Sequence, residues 1–220
     1  MVTDGFRRRR EPVARALSRV LPGDVLWFAE TAEPVFALTF DDGPHPGTTP
    51  QLLDVLRRHG ARATFFLIGE RVAAHGELVG RIVAEGHEIA NHLMRDERSV
   101  LVPGDRFRRD LAEVNQLLTR YGTVRWFRPG SGFYTPRMLR SAAGLGLRAV
   151  LGTLVAAHTG GPGDEAIAGD LVDAVRPGSI VVLHEGTARR SGVAATTDEL
   201  LTGLAARGLR AVTVSELVES

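Results

Sequence analysis

From Val35 onward, short continuous apolar runs alternate with longer stretches in which apolar residues recur every three or four positions. The runs have the pattern of buried strands and the longer stretches that of amphipathic helices. Val35-Phe36-Ala37-Leu38 opens the series. Residues 48–59 follow as a helix, with Leu52, Leu53, Val55 and Leu56 apolar and Gly60 as its stop. Residues 62–68 are the second strand. Helical stretches at 70–74 and 77–85 end at Gly86, before a short third strand at Glu88-Ile89-Ala90. The clearest amphipathic helix covers residues 104–120, with Phe107, Leu111, Val114, Leu117 and Leu118 on one face. A strand at 125–127, a helix at 136–143 and a strand at 148–151 continue the alternation. A Gly-rich loop at 159–163 leads into a helix at 164–175, a strand at 179–183, a helix at 196–207 and a last strand at 211–214. Ser215 is placed to cap a final turn.

Seven strands, each followed by helix, imply an α/β fold with a parallel sheet. No Gly-x-Gly-x-x-Gly follows the first strand, so the main dinucleotide-binding signature is missing. Polar residues cluster after strand ends instead: Asp41 and Asp42, His92, Arg128 and His184. That is where a β/α barrel carries its chemistry. The chain is shorter than the roughly 250 residues of eight full repeats, so the expectation is an incomplete or distorted (β/α) barrel of about seven parallel strands. Residues 1–30 read as an N-terminal extension with a short helix at 12–20, packed on the body through Trp27 and Phe28. Residues 31–220 read as one domain, without internal repeat or linker.

Composition removes several kinds of chemistry. A net charge of +1 with 24% charged residues argues against a nucleic-acid partner. The run Arg7-Arg8-Arg9-Arg10 reads as a solvated arm. There is no cysteine, hence no disulfide, thiol nucleophile or thiolate metal site. Lysine is absent as well, which excludes Schiff-base chemistry and a phosphate-loop lysine. No apolar run reaches the roughly 18 residues of a membrane span. Charges within residues 11–20 interrupt any signal-peptide core, so the chain as written reads as cytoplasmic. Oligomeric state is not legible.

The sharpest chemical signal is Thr39-Phe40-Asp41-Asp42-Gly43-Pro44. Adjacent carboxylates repel unless a cation or proton intervenes, and Gly43-Pro44 stops the strand. Neighbouring strand side chains point opposite ways, so one Asp can hold a metal while the other serves as general base. A plain Asp-Gly turn is the alternative. His92 and Asp96 stand four apart and share a side if a helical turn follows the third strand. With Asp42 they would form a nitrogen-and-oxygen site with open positions; alternatively Asp96 pairs with Arg95 or Arg98. His184, ending Ile180-Val181-Val182-Leu183, is better placed as a general acid than as a ligand. Arg128 can orient a carboxylate or bridge helix ends.

Taken in order, these motifs resemble the polysaccharide deacetylases, the NodB-homology group acting on chitin, peptidoglycan and related N-acetylated sugars. Residues 39–44 match the first signature and Gly86-His87-Glu88-Ile89-Ala90-Asn91-His92 the second. Arg128-Pro129-Gly130-Ser131-Gly132 resembles the third, and Gly178 through His184 the last. The likeness spans about residues 33–218. It implies Asp41 as general base held by Arg128, Asp42 and His92 as metal ligands, and His184 as general acid. His87 matches a structural position, and His45, His59 and His75 match nothing catalytic.

Three departures accompany the likeness. Asp96 stands where a second ligand histidine is common, and a site with two carboxylates favours harder metals over zinc. The implied cofactor is a divalent ion: zinc, or cobalt, nickel, iron or manganese. Ser131 replaces an aromatic beside the backbone N–H expected to help hold the oxyanion. Residues 151–158 lack the usual Asp and Trp, leaving His158 as the nearby candidate partner for His184. The resemblance implies a metal-dependent hydrolase that removes an N-acetyl group from an amino sugar, N-acetylated glycan or other small amide and releases acetate. Two alternatives stay open: a metal-independent cyclic amide or imide hydrolase of the same fold, and a non-catalytic carbohydrate-binding relative. The survival of both Asp41 and His184 argues against the last.

Overall fold

The computed structural model describes residues 25–156 and 164–220. The helix expected at 12–20, the loop at 159–163 and His158 lie outside the described residues. Among the described residues nine strands form one sheet: β1 (Val25–Leu26), β2 (Val35–Gly43), β3 (Thr64–Leu67), β4 (Glu88–Asn91), β5 (Trp126–Phe127), β6 (Arg148–Val150), β7 (Leu154–Val155), β8 (Ile180–His184) and β9 (Arg210–Val212). Every pairing is parallel. The order is β1-β6-β5-β4-β3-β2-β8-β7, with β9 joined to β2.

Eight α-helices are described: α1 (Thr49–Arg58), α2 (Gly69–Ala74), α3 (Gly76–Ala84), α4 (Gly104–Leu118), α5 (Pro136–Ala143), α6 (Asp164–Ala174), α7 (Val193–Ala206) and α8 (Val214–Glu219). The expected incomplete barrel is the architecture found. Two strands exceed the expected seven. β1 lies inside the expected extension and pairs Val25 with Ala149 and Leu26 with Val150. β7 pairs with β8. Each is two residues long, too short to carry a periodic signal.

β2 is the central strand, bonded to β3, β8 and β9. All nine of its residues are buried, because helices cover one face and the barrel interior the other. Phe36, Leu38 and Phe40 join Leu52, Leu56, Leu200 and Leu204 in the core between sheet and helices. Val35 and Ala37 face the interior with Val150, Ile180 and Val212, where Val214 and Leu217 of α8 also pack. α8 therefore fills the end of the barrel opposite Asp41. Its cap is Thr213, not the expected Ser215. The Thr213 hydroxyl accepts from Glu216 N at 3.1 Å, and Glu216 Oε2 accepts from Thr213 N at 2.9 Å. Ser215 instead donates to Glu88 Oε1 and accepts from the Trp126 indole.

Trp27 and Phe28 both contact the body. Trp27 meets the Tyr134 ring edge-on at 6.4 Å, and Phe28 lies close against Gly178. Thr153 stitches the gap between the two sheet ends. Its hydroxyl donates to the Trp27 carbonyl at 2.6 Å and accepts from Ile180 N at 3.0 Å.

Candidate active site

Asp41 and Asp42 occupy the C-terminal end of β2. Strand alternation would send their side chains apart, but β2 bulges here: Asp41 registers with Phe66 and Gly43, not Asp42, registers with Leu67. Asp42 takes a left-handed backbone with φ of 70°. The extra residue turns both carboxylates into one cleft of about 470 Å³, shared with His92, Asp96, Arg128, Ser131 and His184. The expectation of opposite faces is corrected by this bulge.

Arg128, at the end of β5, supplies the cation that tolerates a buried Asp41. Its Nη1 donates to Asp41 Oδ1 at 2.5 Å and to the Thr39 hydroxyl at 2.9 Å, while Nε donates to the Val150 carbonyl at 3.2 Å. The guanidinium plane lies 3.8 Å over the Phe66 ring. With Oδ1 held, Asp41 Oδ2 lies between two imidazoles, 4.0 Å from His92 Nε2 and 3.9 Å from His184 Nε2.

His92 follows β4, and its Nδ1 donates to the Arg128 carbonyl at 2.7 Å, which turns Nε2 toward Asp42 Oδ1 at 3.2 Å. Burial pulls the His92 pKa down, but Asp41 and Asp42 outweigh it and raise it. Burial alone would raise the Asp42 pKa. The His92 hydrogen bond and the charges of His92, His184 and Arg190 instead hold it well below the carboxylate range. His184 ends β8, with Nδ1 2.9 Å from the Ala156 carbonyl. A main-chain oxygen thus orients the ring where a carboxylate was sought in sequence.

Asp96 reaches the cleft without the helical turn that its spacing assumed. Among the described residues, no group of three or more His, Asp or Glu is close enough to hold a metal ion. Asp42 and His92 fit a divalent ion in donor type and mutual position. Asp96 is half exposed and lies 3.9 Å from Arg71 Nη2, an arginine other than the Arg95 or Arg98 named from sequence. The spacing argument assumed a helical turn, but residues 93–98 are non-helical and Leu93 has a φ of 65°. Ser131, at φ 68° in the 3-10 turn Gly130–Gly132, lines the cleft.

His87 is buried, packed edge-on to Phe65 at 5.6 Å, as its structural reading required. His59 pairs with Asp198 at 2.7 Å and His75 lies 3.7 Å from Glu77, both away from the cleft. His45, on the loop before α1, accepts from Gly47 N at 3.1 Å.

Sequence reasoning missed three residues here. Arg190 Nη1 reaches Asp42 Oδ2 at 2.5 Å. Arg71 donates to the Asp42 main-chain carbonyl. Glu185 is fully buried behind Asp42, accepting from Thr48 and Thr49 hydroxyls at 2.8 and 2.6 Å. None belongs to a motif; only the adjacency of Glu185 to His184 could have drawn notice.

Residues 29–150 match the family model described as polysaccharide deacetylase. A peptidoglycan-N-acetylglucosamine deacetylase of Bacillus cereus is 36% identical over 202 residues, 89% of this chain and 93% of that protein. A chitooligosaccharide deacetylase of Rhizobium leguminosarum bv. phaseoli is 39% identical over 160 residues, 71% of this chain and 70% of the other. Among solved structures, a family 4 acetyl xylan esterase from Clostridium thermocellum, in complex with a cobalt ion, superposes with a TM-score of 0.76 at 30% identity. That match covers 84% of this chain and 90% of the esterase.

Proposed function

This chain belongs to the polysaccharide deacetylase family, and from that premise we propose that it hydrolyses the N-acetyl group of an amino-sugar unit in a glycan. The observation that carries this reading is the placement of Asp41. Its one oxygen is fixed by Arg128, and its other faces the cleft between His92 and His184. In the proposed reaction Asp41 takes a proton from the water that attacks the acetyl carbon. His184 gives a proton to the nitrogen as the C–N bond breaks, leaving acetate and a free amine. The backbone N–H at Ser131 is assigned to the developing oxyanion. Asp42 and His92 are the proposed ligands of a divalent ion, with Asp96 of the same cleft completing the set only by moving away from Arg71; the ion would supply Lewis acidity at the acetyl carbonyl. Residues 31–220 are proposed to act as one catalytic unit, with peptidoglycan or chitooligosaccharide fragments as the substrate class indicated by the relatives' names.

Acetate release from N-acetylglucosamine oligomers and from peptidoglycan fragments tests the reading. Asp41→Asn should lower kcat by about 10²- to 10⁴-fold, the usual contribution of a positioned base. Wild-type protein that released no acetate from any of these, with cobalt or zinc supplied, would sink the proposal. That no group of three ligands is close together among the described residues favours one second reading, a metal-independent cyclic amide or imide hydrolase, whose signature is undiminished turnover after exhaustive chelation.

A further inference from the structure

Arg190 lies in the 3-10 turn Ala188–Arg190 that follows β8, on the rim of the catalytic cleft. Its Nη1 donates to Asp42 Oδ2 at 2.5 Å and to the Glu185 carbonyl at 2.7 Å. Asp42 Oδ1 faces His92 Nε2 at 3.2 Å. Asp42 Oδ2 is therefore held by a guanidinium, while Oδ1 faces the imidazole. The second carboxylate, Asp96, lies beside another guanidinium, that of Arg71. Two arginines thus stand at the two carboxylates of the proposed ligand set.

The guanidinium on Oδ2 draws negative charge away from Oδ1, the oxygen that faces His92, and so weakens what Asp42 can offer a divalent ion. The two cations also repel at such separations in a partly buried site. Arg190 has an escape route that Arg128 lacks: its side chain is 23% exposed, against 3% for Arg128, and its turn is only three residues long. We propose that Arg190 is a built-in counter-cation of Asp42, so that metal loading is an exchange in which the guanidinium leaves Asp42 as the divalent ion arrives. This rests on the reading of Asp42 as a metal ligand. It makes Arg190 a positioning residue that neutralises the acidic pair in the metal-free protein and lowers metal affinity by the stability of its own ion pair.

Cobalt titration of the chelator-stripped full chain, by calorimetry and by the visible absorption of the bound ion, tests the exchange without reference to activity. Arg190→Ala and Arg190→Gln should each bind cobalt about tenfold tighter or more, the change expected when about 1.4 kcal/mol of competing ion pair is removed. Their metal-free forms should melt below wild type while remaining folded by circular dichroism. Arg189→Ala, which removes an equal charge from an exposed neighbour, should bind within about twofold of wild type, inside measurement scatter. Unchanged or weaker binding in both Arg190 variants overturns the exchange, as does equal tightening in Arg189→Ala, which would reduce the effect to long-range charge. If wild type binds cobalt and Asp42→Ala does not, while the Arg190 variants match wild type, the exchange falls and the ligand reading stands. If neither wild type nor any variant binds cobalt, the ligand reading falls and the exchange with it.

Discussion

Asp41 and Asp42 show how two adjacent carboxylates can be buried at 4% exposure each. Each is given its own cation, Arg128 for Asp41 and Arg190 for Asp42, with His92 between them. Two further buried titratable groups act on stability with opposite sign. Burial lifts Glu185 from 4.5 to about 7, although the Thr49 and Thr48 hydroxyls pull the other way. Its folded pKa is raised, so its contribution is full below about 4.5 and drains away as pH climbs to about 7. Burial lowers His87 from 6.5 to about 4. The unfolded chain then takes up that proton first, and stability is lost as pH falls from 6.5 through 4. Each shift corresponds to about 3 kcal/mol, and between pH 4.5 and 6.5 the two slopes oppose each other. Glu185→Gln removes one of them. Its stability relative to wild type should rise by about 2–3 kcal/mol between pH 5 and pH 8. Urea unfolding at the two pH values measures this, and a pH-independent difference would mean that Glu185 titrates as an ordinary carboxylate.

At the scale of elements, the bulge in β2 matters most. Gly43, which follows the left-handed Asp42, is closely approached: a Cβ there would fall 2.1 Å from Glu185 Oε1. Thus the residue that ends the strand also makes room for the buried Glu185 behind Asp42. At the other end of the barrel, α8 depends on the reciprocal bonds between Thr213 and Glu216. Thr213→Ala should cost about 1 kcal/mol of stability. Deacetylation should be unchanged at temperatures well below melting, because α8 packs against the start of β2, far from Asp41. Loss of activity in the folded variant would show that the barrel floor is coupled to the cleft.

For the whole molecule, barrel closure depends on contacts outside the strand ladder, among them the backbone bond from Ala29 N to the Gly178 carbonyl at 3.0 Å. The sheet ends at β1 and β7, and Thr153 spans the gap with one hydroxyl serving both the Trp27 carbonyl and the Ile180 amide. Thr153→Val keeps the shape and leaves those two groups without that partner, at a cost of about 1–3 kcal/mol. Chemical denaturation should show a lower midpoint at an unchanged slope. A reduced slope would instead report that the ends had parted and the native state had loosened.

The sequence by itself determined the parallel α/β architecture, since strand and helix periodicities alternate without interruption and parallel strands need covering helices. It also placed Asp41, Asp42, His92, Arg128 and His184 at strand ends, and all five meet in one cleft. Tertiary structure decided what periodicity cannot carry. β1 and β7 are two-residue strands held by their neighbours' hydrogen bonds and not by any pattern of their own. The bulge that brings the two aspartates together is a register shift against β3, visible only once the strands are paired. The helical spacing used for Asp96 does not apply, because the chain at 93–98 takes no helical form; the fold brings Asp96 to the same cleft by another path. Arg190 lies 148 residues from Asp42, and a contact over that distance belongs to the fold, not to any local stretch of sequence.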